Sequence, residues 1–473
     1  MRAKLLAVLA VVLLPGALLA QVNTGDANFS MYVSMGDSLT AGFYSGGLTQ
    51  TFQKQSYPAL LARQATGGTA DFEQPLVSAP GIPPLLALKS LSPLEIVPLP
   101  GFGQPLNLNL PRPYNNLAVP GETTHGLLTT VTDNGGLHDL ILRGLGTQLQ
   151  EGLALHPTFV TLWIGNNDVL GAATSGIVID NVTLTTVSKF TADYQAIVGA
   201  IAASGAKLAV ANIPNVYDIP FVTTIPPVVV DPSTNQPVMV NGQPIPLIGP
   251  NGPLSPDDHV LLTASSLLAQ GIGIPAQLGG TGQPLPDSAV LSASETATIE
   301  ARIAAFNQVI ANTANNVGAA LVDINSMFDN IAQNGDDLGG VEYTADFLTG
   351  GLFGYDGVHP TPLGYAVAAN AFIRAINKTY SARIPLVDYS PYVFDPAGTT
   401  TRVSPSAAHG AIFSPAAWES LRHSLGIPSV ATLERLKHAQ HPTPQGPAPT
   451  GGANHPVRTP TGHGLSAGLG HGG

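Results

Sequence analysis

Four apolar, β-branched runs punctuate the chain: MYVSMG (31–36), FVTLWIG (159–165), KLAVANI (207–213) and ALVDI (320–324). Runs of this length without polar alternation read as strands buried on both faces. Between and after them, apolar residues recur at helical spacing over about 187–203, 293–317 and 363–377; in the last, Leu363, Ala366, Val367, Ala369, Phe372, Ile373 and Ile376 share one face. Strands alternating with helices predict an α/β fold, a three-layer α/β/α sandwich around a central, mainly parallel sheet.

Two stretches break the alternation. Residues 75–113 are Pro-rich, apolar and nearly uncharged, and residues 214–290 are similar and contain VVVDPSTNQPVMVNGQPIPLIG, which reads as a hairpin closed by Asn-Gly. Long irregular insertions in a compact domain are often lids or binding loops. The main domain is therefore expected over 21–385 with these two insertions. Beyond it, FSPAAWESLRHSLG predicts one more helix, with Ser414 as cap, Pro415 in the first turn, Phe413 and Trp418 at staple spacing and Gly426 as the stop. Residues 386–440 read as a small ordered extension and 441–473, rich in Gly, Pro and His, as a disordered tail.

Residues 1–20, MRAKLLAVLAVVLLPGALLA, combine two basic residues, a short apolar run, a Pro-Gly break and a small final residue. That is a signal-peptide pattern, with cleavage expected near Ala20 and a secreted or periplasmic product. A membrane anchor fits less well because the run is short, and no later segment is long and apolar enough for a stable membrane span.

Composition narrows the function classes. Hydrophobic residues make up 44% of the 473 residues and charged residues 10%, so the chain should fold but carry weakly charged loops. Without Arg2 and Lys4 it has 16 basic and 30 acidic residues, a net charge of −14, and no nucleic-acid partner is expected. Zero cysteines remove disulfides and thiolate metal sites. Nothing in the sequence fixes an oligomeric state.

Chemistry is suggested where strands end. The first run leads into Gly36-Asp37-Ser38-Leu39, placing a serine at the carboxyl end of a strand, where open α/β sheets bind ligands. The second leads into Gly165-Asn166-Asn167-Asp168; an asparagine amide offers neutral donors to an anionic oxygen, although Gly and Asn also make ordinary turns. In YNNLAVPGETT, Pro120-Gly121 forces a bend that could free the Gly121 amide, but with 42 prolines and 52 glycines such turns arise by chance. In YDGVHPTPLGY, His359 lies on a loop before Pro360, with Asp356 three residues earlier and able to orient its ring; an exposed histidine after an Asp-Gly turn is the plainer alternative.

Taken together, these four segments resemble the blocks of the SGNH (GDSL) hydrolases, in order, over roughly residues 30–380. The resemblance implies a flavodoxin-like sandwich and a catalytic triad of Ser38, Asp356 and His359. It implies an oxyanion hole made by the backbone of Ser38 and Gly121 with Asn167, the residue that matches Gly-x-Asn-Asp, rather than Asn166. Neither cofactor nor metal is implied. Asp37 and Asp168 are assigned to turn-shaping hydrogen bonds, since a charge beside an oxyanion would oppose it.

The expected activity is hydrolysis of carboxylic esters through an acyl-enzyme, on a small-molecule or lipid ester. Residues 75–113 offer aliphatic side chains with Phe102 as their one aromatic platform, which favours acyl chains over sugars. A carbohydrate O-acetylesterase is the alternative within esterases, and a non-catalytic secreted binding protein the alternative outside them. A metallophosphoesterase is disfavoured because no histidine follows Gly-Asn and seven of the twelve histidines lie beyond residue 400. The Gly464-Leu465-Ser466-Ala467-Gly468 match to a lipase elbow sits in the tail with no strand before it.

Overall fold

A computed structural model describes residues 22–69, 71–91, 93–393 and 410–440. The expected leader, the tail and the Gly464–Gly468 match lie outside these residues. The four apolar runs form strands β1 (Tyr32–Gly36), β4 (Phe159–Trp163), β5 (Lys207–Ala211) and β6 (Ala320–Val322). They pair in parallel in the order β1-β4-β5-β6, with Ser34 opposite Thr161 and Thr161 opposite Ala209. On the outer side of β1, residues 115–119 run parallel to it through Ser34 N–H to Asn115 O, Leu117 N–H to Ser34 O and Val119 N–H to Gly36 O. This edge was not apparent in the sequence, where it read only as the approach to the Pro-Gly bend.

Alternate strand residues face opposite layers, as a pleated sheet requires. Val33, Met35, Val160, Leu162, Leu208 and Val210 join one buried cluster. Phe159, Trp163, Ala209, Ala211, Ala320 and Val322 join the other. The first face is covered by α3 (Val187–Ala203) and α4 (Ala293–Val317), whose Phe190 and Phe306 rings stack at 3.8 Å. Ser292 and Glu295 form a capping box that starts α4, and left-handed Gly318 ends it. The second face is covered by α1 (Tyr57–Thr66) and α6 (Pro362–Thr379), through a Tyr57–Phe372 stack at 4.3 Å. The architecture is the three-layer α/β/α sandwich that the periodicity predicts.

The irregular stretches are ordered around this core. Residues 86–98 form an antiparallel hairpin, β2 (Leu86–Leu91) and β3 (Leu94–Pro98). Strand β7 (Ile412–Phe413), more than three hundred residues later, pairs with β3 in parallel. Helix α7 (Pro415–Ser424) follows, capped by the Ser414 side chain, which accepts from Ala417 N–H. Phe413 and Trp418 meet on a third ring: both pack against Phe221, with centroids 6.0 and 5.6 Å away. In the second stretch, Met239–Val240 pairs with Gln243–Pro244 across Asn241-Gly242, both with positive φ, the predicted hairpin. Val229, Leu247, Val260, Leu285 and Val290 give this region a small core of its own.

Candidate active site

The carboxyl end of β1 turns at Gly36, whose φ of +152° brings it so close to the backbone of Trp163 and to Thr40 that no side chain fits. Asp37 then caps a one-turn helix, Ser38–Ala41, its Oδ1 accepting the Leu39 N–H at 3.0 Å. This turn presents Ser38, which is 3% exposed, toward the loop that precedes α6. Tyr365 on α6 steadies the turn from behind, donating its hydroxyl to Phe43 O at 2.5 Å.

Ser38, Asp356 and His359 meet. His359 Nε2 lies 2.8 Å from Ser38 Oγ, and His359 Nδ1 lies 2.8 Å from Asp356 Oδ2. The acid and the imidazole are fully buried. Asp356 also accepts the backbone N–H groups of Gly46, Val358 and His359 at 2.8 to 3.0 Å. Burial works to raise its carboxyl, but His359 and these donors prevail and hold it below the usual carboxylate value. A hydroxyl bonded to an imidazole that a carboxylate orients can give up its proton as it attacks an electrophile.

The other predicted positions lie at the neighbouring strand end and across from it. Gly121 takes φ +82°, and a Cβ there would sit 2.7 Å from Ser424 O at the end of α7. Both facts demand glycine. Among the described residues, neither the Ser38 nor the Gly121 backbone N–H has a hydrogen-bond acceptor. Asn167 opens α2 (Asn167–Ser175) directly after β4, and its Nδ2 donates one N–H to Glu122 O at 2.9 Å, leaving the second free of protein acceptors among the described residues. Asn166 points elsewhere: it donates to Asp37 Oδ2 at 2.8 Å. The two adjacent asparagines thus divide, one toward the Gly121 turn and one tying the serine turn to β4.

Asp37 and Asp168 shape turns, as expected. Asp168 accepts the Thr124 N–H and hydroxyl at 2.9 and 3.0 Å. Burial pushes Asp37 up to about 7, against the Asn166 and Leu39 donors, and Asp168 up to about 6, against Thr124. Burial thus works against charge on the carboxyl beside Ser38.

Close in sequence to the dyad, but without Ser38 or His359 in its lining, is an apolar cavity of about 90 Å³. Leu39, Val358 and Pro360, chain neighbours of Ser38 and His359, form part of its wall. The rest comes from α6, from the segment after β5 at Pro214 and Ile219, from α5 (Ile324–Asn334) with Met327 and Phe328, from Trp163 at the end of β4 and from Leu352 and Phe353 on the loop before the histidine. Residues 75–113, where aliphatic walls were expected, contribute nothing to it; that stretch instead buttresses the acid side, with Leu86 N–H bonded to Ser45 O. Sequence reasoning missed α5 as a wall because its apolar face also serves the core.

Among the described residues no cluster of three or more His, Asp or Glu side chains could hold a metal ion, and no helix is long and apolar enough to cross a membrane.

Comparison with known proteins fits this geometry. Residues 32–372 match the model of the GDSL-like lipase/acylhydrolase family. Similar solved structures include an α/β hydrolase from the metagenome of Lake Arreo (15% identity, 74% of this chain and 96% of that one, TM-score 0.34). Others are an acetylxylan esterase from Geobacillus stearothermophilus (13%, 73% and 93%, 0.34) and an extracellular lipase from Streptomyces rimosus (15%, 74% and 98%, 0.31). No curated protein sequence matches. The chain belongs to the GDSL-like lipase/acylhydrolase family and is a serine ester hydrolase.

Proposed function

We propose that Ser38 is the nucleophile, His359 the general base and Asp356 its orienting acid, in an exported hydrolase of carboxylic esters with short to medium aliphatic acyl groups. The observation that carries this is the 2.8 Å contact of His359 Nε2 with Ser38 Oγ. As Ser38 Oγ bonds to the ester carbonyl carbon, its proton passes to His359 Nε2. The negative charge gathers on the carbonyl oxygen, where the N–H groups of Ser38 and Gly121 and the free N–H of Asn167 receive it. The imidazolium returns the proton to the leaving alcohol oxygen as the C–O bond breaks, leaving an acyl-serine. Water repeats the sequence with His359 as base, releasing the acid and restoring Ser38.

The cavity supports the acyl preference. A cavity of about 150 Å³ accommodates benzene, so about 90 Å³ suits a chain of about four carbons. Export is supported by the leader-like residues 1–20. The test is hydrolysis of p-nitrophenyl esters of graded acyl length by the wild type and Ser38→Ala. Butyrate should exceed acetate in kcat/KM, with all activity lost in Ser38→Ala. A maximum at acetate favours an O-acetylesterase instead, and residual activity in Ser38→Ala sinks the nucleophile assignment.

A further inference from the structure

Glu122 links two of the donors assigned above. Its backbone follows Gly121 directly, and its carbonyl oxygen accepts from Asn167 Nδ2 at 2.9 Å. Its carboxylate is 3% exposed, folded back beneath the turn against Gly126. There Oε1 accepts the Thr123 N–H at 3.3 Å, and Oε2 lies 3.0 Å from His138 Nε2. The other ring nitrogen, Nδ1, lies 3.1 Å from Asp133 Oδ2, and Asp133 further accepts the backbone N–H groups of Gly136 and His138 at 2.9 and 3.0 Å. Asp133 is therefore a fixed post rather than a passing surface charge.

A neutral imidazole has one N–H and can donate to only one of two flanking carboxylates; an imidazolium serves both. The surroundings favour that form. Burial alone would lower the His138 value, but Glu122 and Asp133 outweigh it and raise it. Burial also raises the Glu122 carboxyl, against the bond from His138. Asp133, held below its usual value against its own burial by its bonds with His138, keeps the negative charge that favours the cation. A carboxylate buried beside the Gly121 turn without this cation would set negative charge near the oxygen that becomes negative in the reaction.

We propose that His138 and Glu122 are positioning residues for the oxyanion hole: the imidazolium, braced by Asp133, clamps the Glu122 carboxylate and so fixes the Gly121 N–H and the Asn167 amide in their places. The inference rests on the reading of Gly121 and Asn167 as oxyanion donors. Small displacements of such groups are costly, up to about 10²-fold for 1 Å.

The experiment measures kcat, KM and thermal unfolding on p-nitrophenyl butyrate for the full chain and for His138→Gln, Glu122→Gln, Asn167→Ala, the His138→Gln/Asn167→Ala double variant and Ser38→Ala. His138→Gln keeps an N–H for Glu122 but not the charge. It should lower kcat on the order of 10-fold with KM little changed. In the Asn167→Ala background the same change should cost much less, because the two act through one group. Glu122→Gln, nearly isosteric, should follow the same pattern and decides the matter if His138→Gln folds poorly. Losses that multiply independently of Asn167→Ala, or that simply track unfolding, overturn the inference while leaving a dead Ser38→Ala, and hence the nucleophile reading, intact. Activity retained by Ser38→Ala overturns both.

Discussion

Two histidines in this molecule stand in similar frames and, in the roles proposed above, do opposite work. His359 and His138 each have an aspartate on Nδ1 and an oxygen on Nε2, all between 2.8 and 3.1 Å. At His359 the far oxygen is the Ser38 hydroxyl, which has a proton to give, so the ring can be neutral and accept it. At His138 the far oxygen belongs to the Glu122 carboxyl, and against the ring's burial Glu122 with Asp133 raises its value, which favours the cation. The fold around them differs accordingly. His359 is fully buried between loops at the end of a parallel sheet, while His138 is partly exposed on a short helix, Leu137–Ile141, beyond the Gly121 bend. What distinguishes a base from a fixed charge is the partner on the second nitrogen, not the presence of an Asp-His pair.

The comparison breaks most sharply by deletion. His359→Ala or Ser38→Ala should lower kcat by about 10⁵ to 10⁶ and abolish single-site labelling by a fluorophosphonate, whereas His138→Gln should still label. Labelling that survives His359→Ala at the wild-type rate would put the base elsewhere. Asp356→Asn should cost about 10⁴ in kcat, because the ring loses the partner that fixes its tautomer. A loss no larger than that of an Asp133→Asn variant would make the two frames equivalent and the contrast false.

The donors come next in size. Asn167→Ala should reduce kcat by roughly 10² to 10³ with little change in KM. Asn166→Ala, which removes the tie to Asp37, should act first on thermal stability and less on kcat at equal folded fraction. If Asn166→Ala proves the more damaging to kcat, the division of labour between the adjacent asparagines is reversed.

The smallest expected effect concerns a carboxylate with no histidine. Both side-chain oxygens of Glu151 are buried without a hydrogen-bond partner among the described residues, and burial pushes its carboxyl up to about 8 against the pull of Arg143. Because the folded value exceeds the unfolded value near 4.5, the folded chain binds this proton more tightly. That stabilisation is complete below about 4.5 and is lost as pH rises through about 8. Glu151→Gln should therefore leave Tm nearly unchanged at acid pH, raise it progressively between about pH 4.5 and 8, and show a constant gain above that. A Tm difference that stays flat across this range would show that Glu151 does not titrate in the fold.

The parts legible in the sequence are those encoded locally. Helices α3 and α4 have the predicted bounds because their apolar periodicity is sustained over their whole length, and the serine, asparagine and histidine turns were visible because each follows a strand or precedes a helix. What escaped reading depends on distant partners. The edge segment 115–119 is short and polar at Asn115 and Asn116, whose side chains bond to Tyr32 O and Thr40 O. The pairing of Ile412 with Glu95 has no signature in either segment. His138 lies in TDNGGLHD, a stretch that reads as an ordinary loop until Glu122 is known to face it. The cavity described above has no sequence signature for the same reason: its walls come from separate segments at Leu39, Pro214, Met327, Phe353 and Val367.

The seat of Gly121 against Ser424 and Leu425 has a temporal side. A ribosome delivers Ser38, Gly121, Asn167 and then His359 before it reaches the segment that closes over the Gly121 turn. At about 5–20 residues per second, the interval from His359 to Leu425 lasts roughly 3 to 13 s. Every nascent chain therefore passes through a stage at which its four sequence blocks are complete and the packing behind one of them is still unmade.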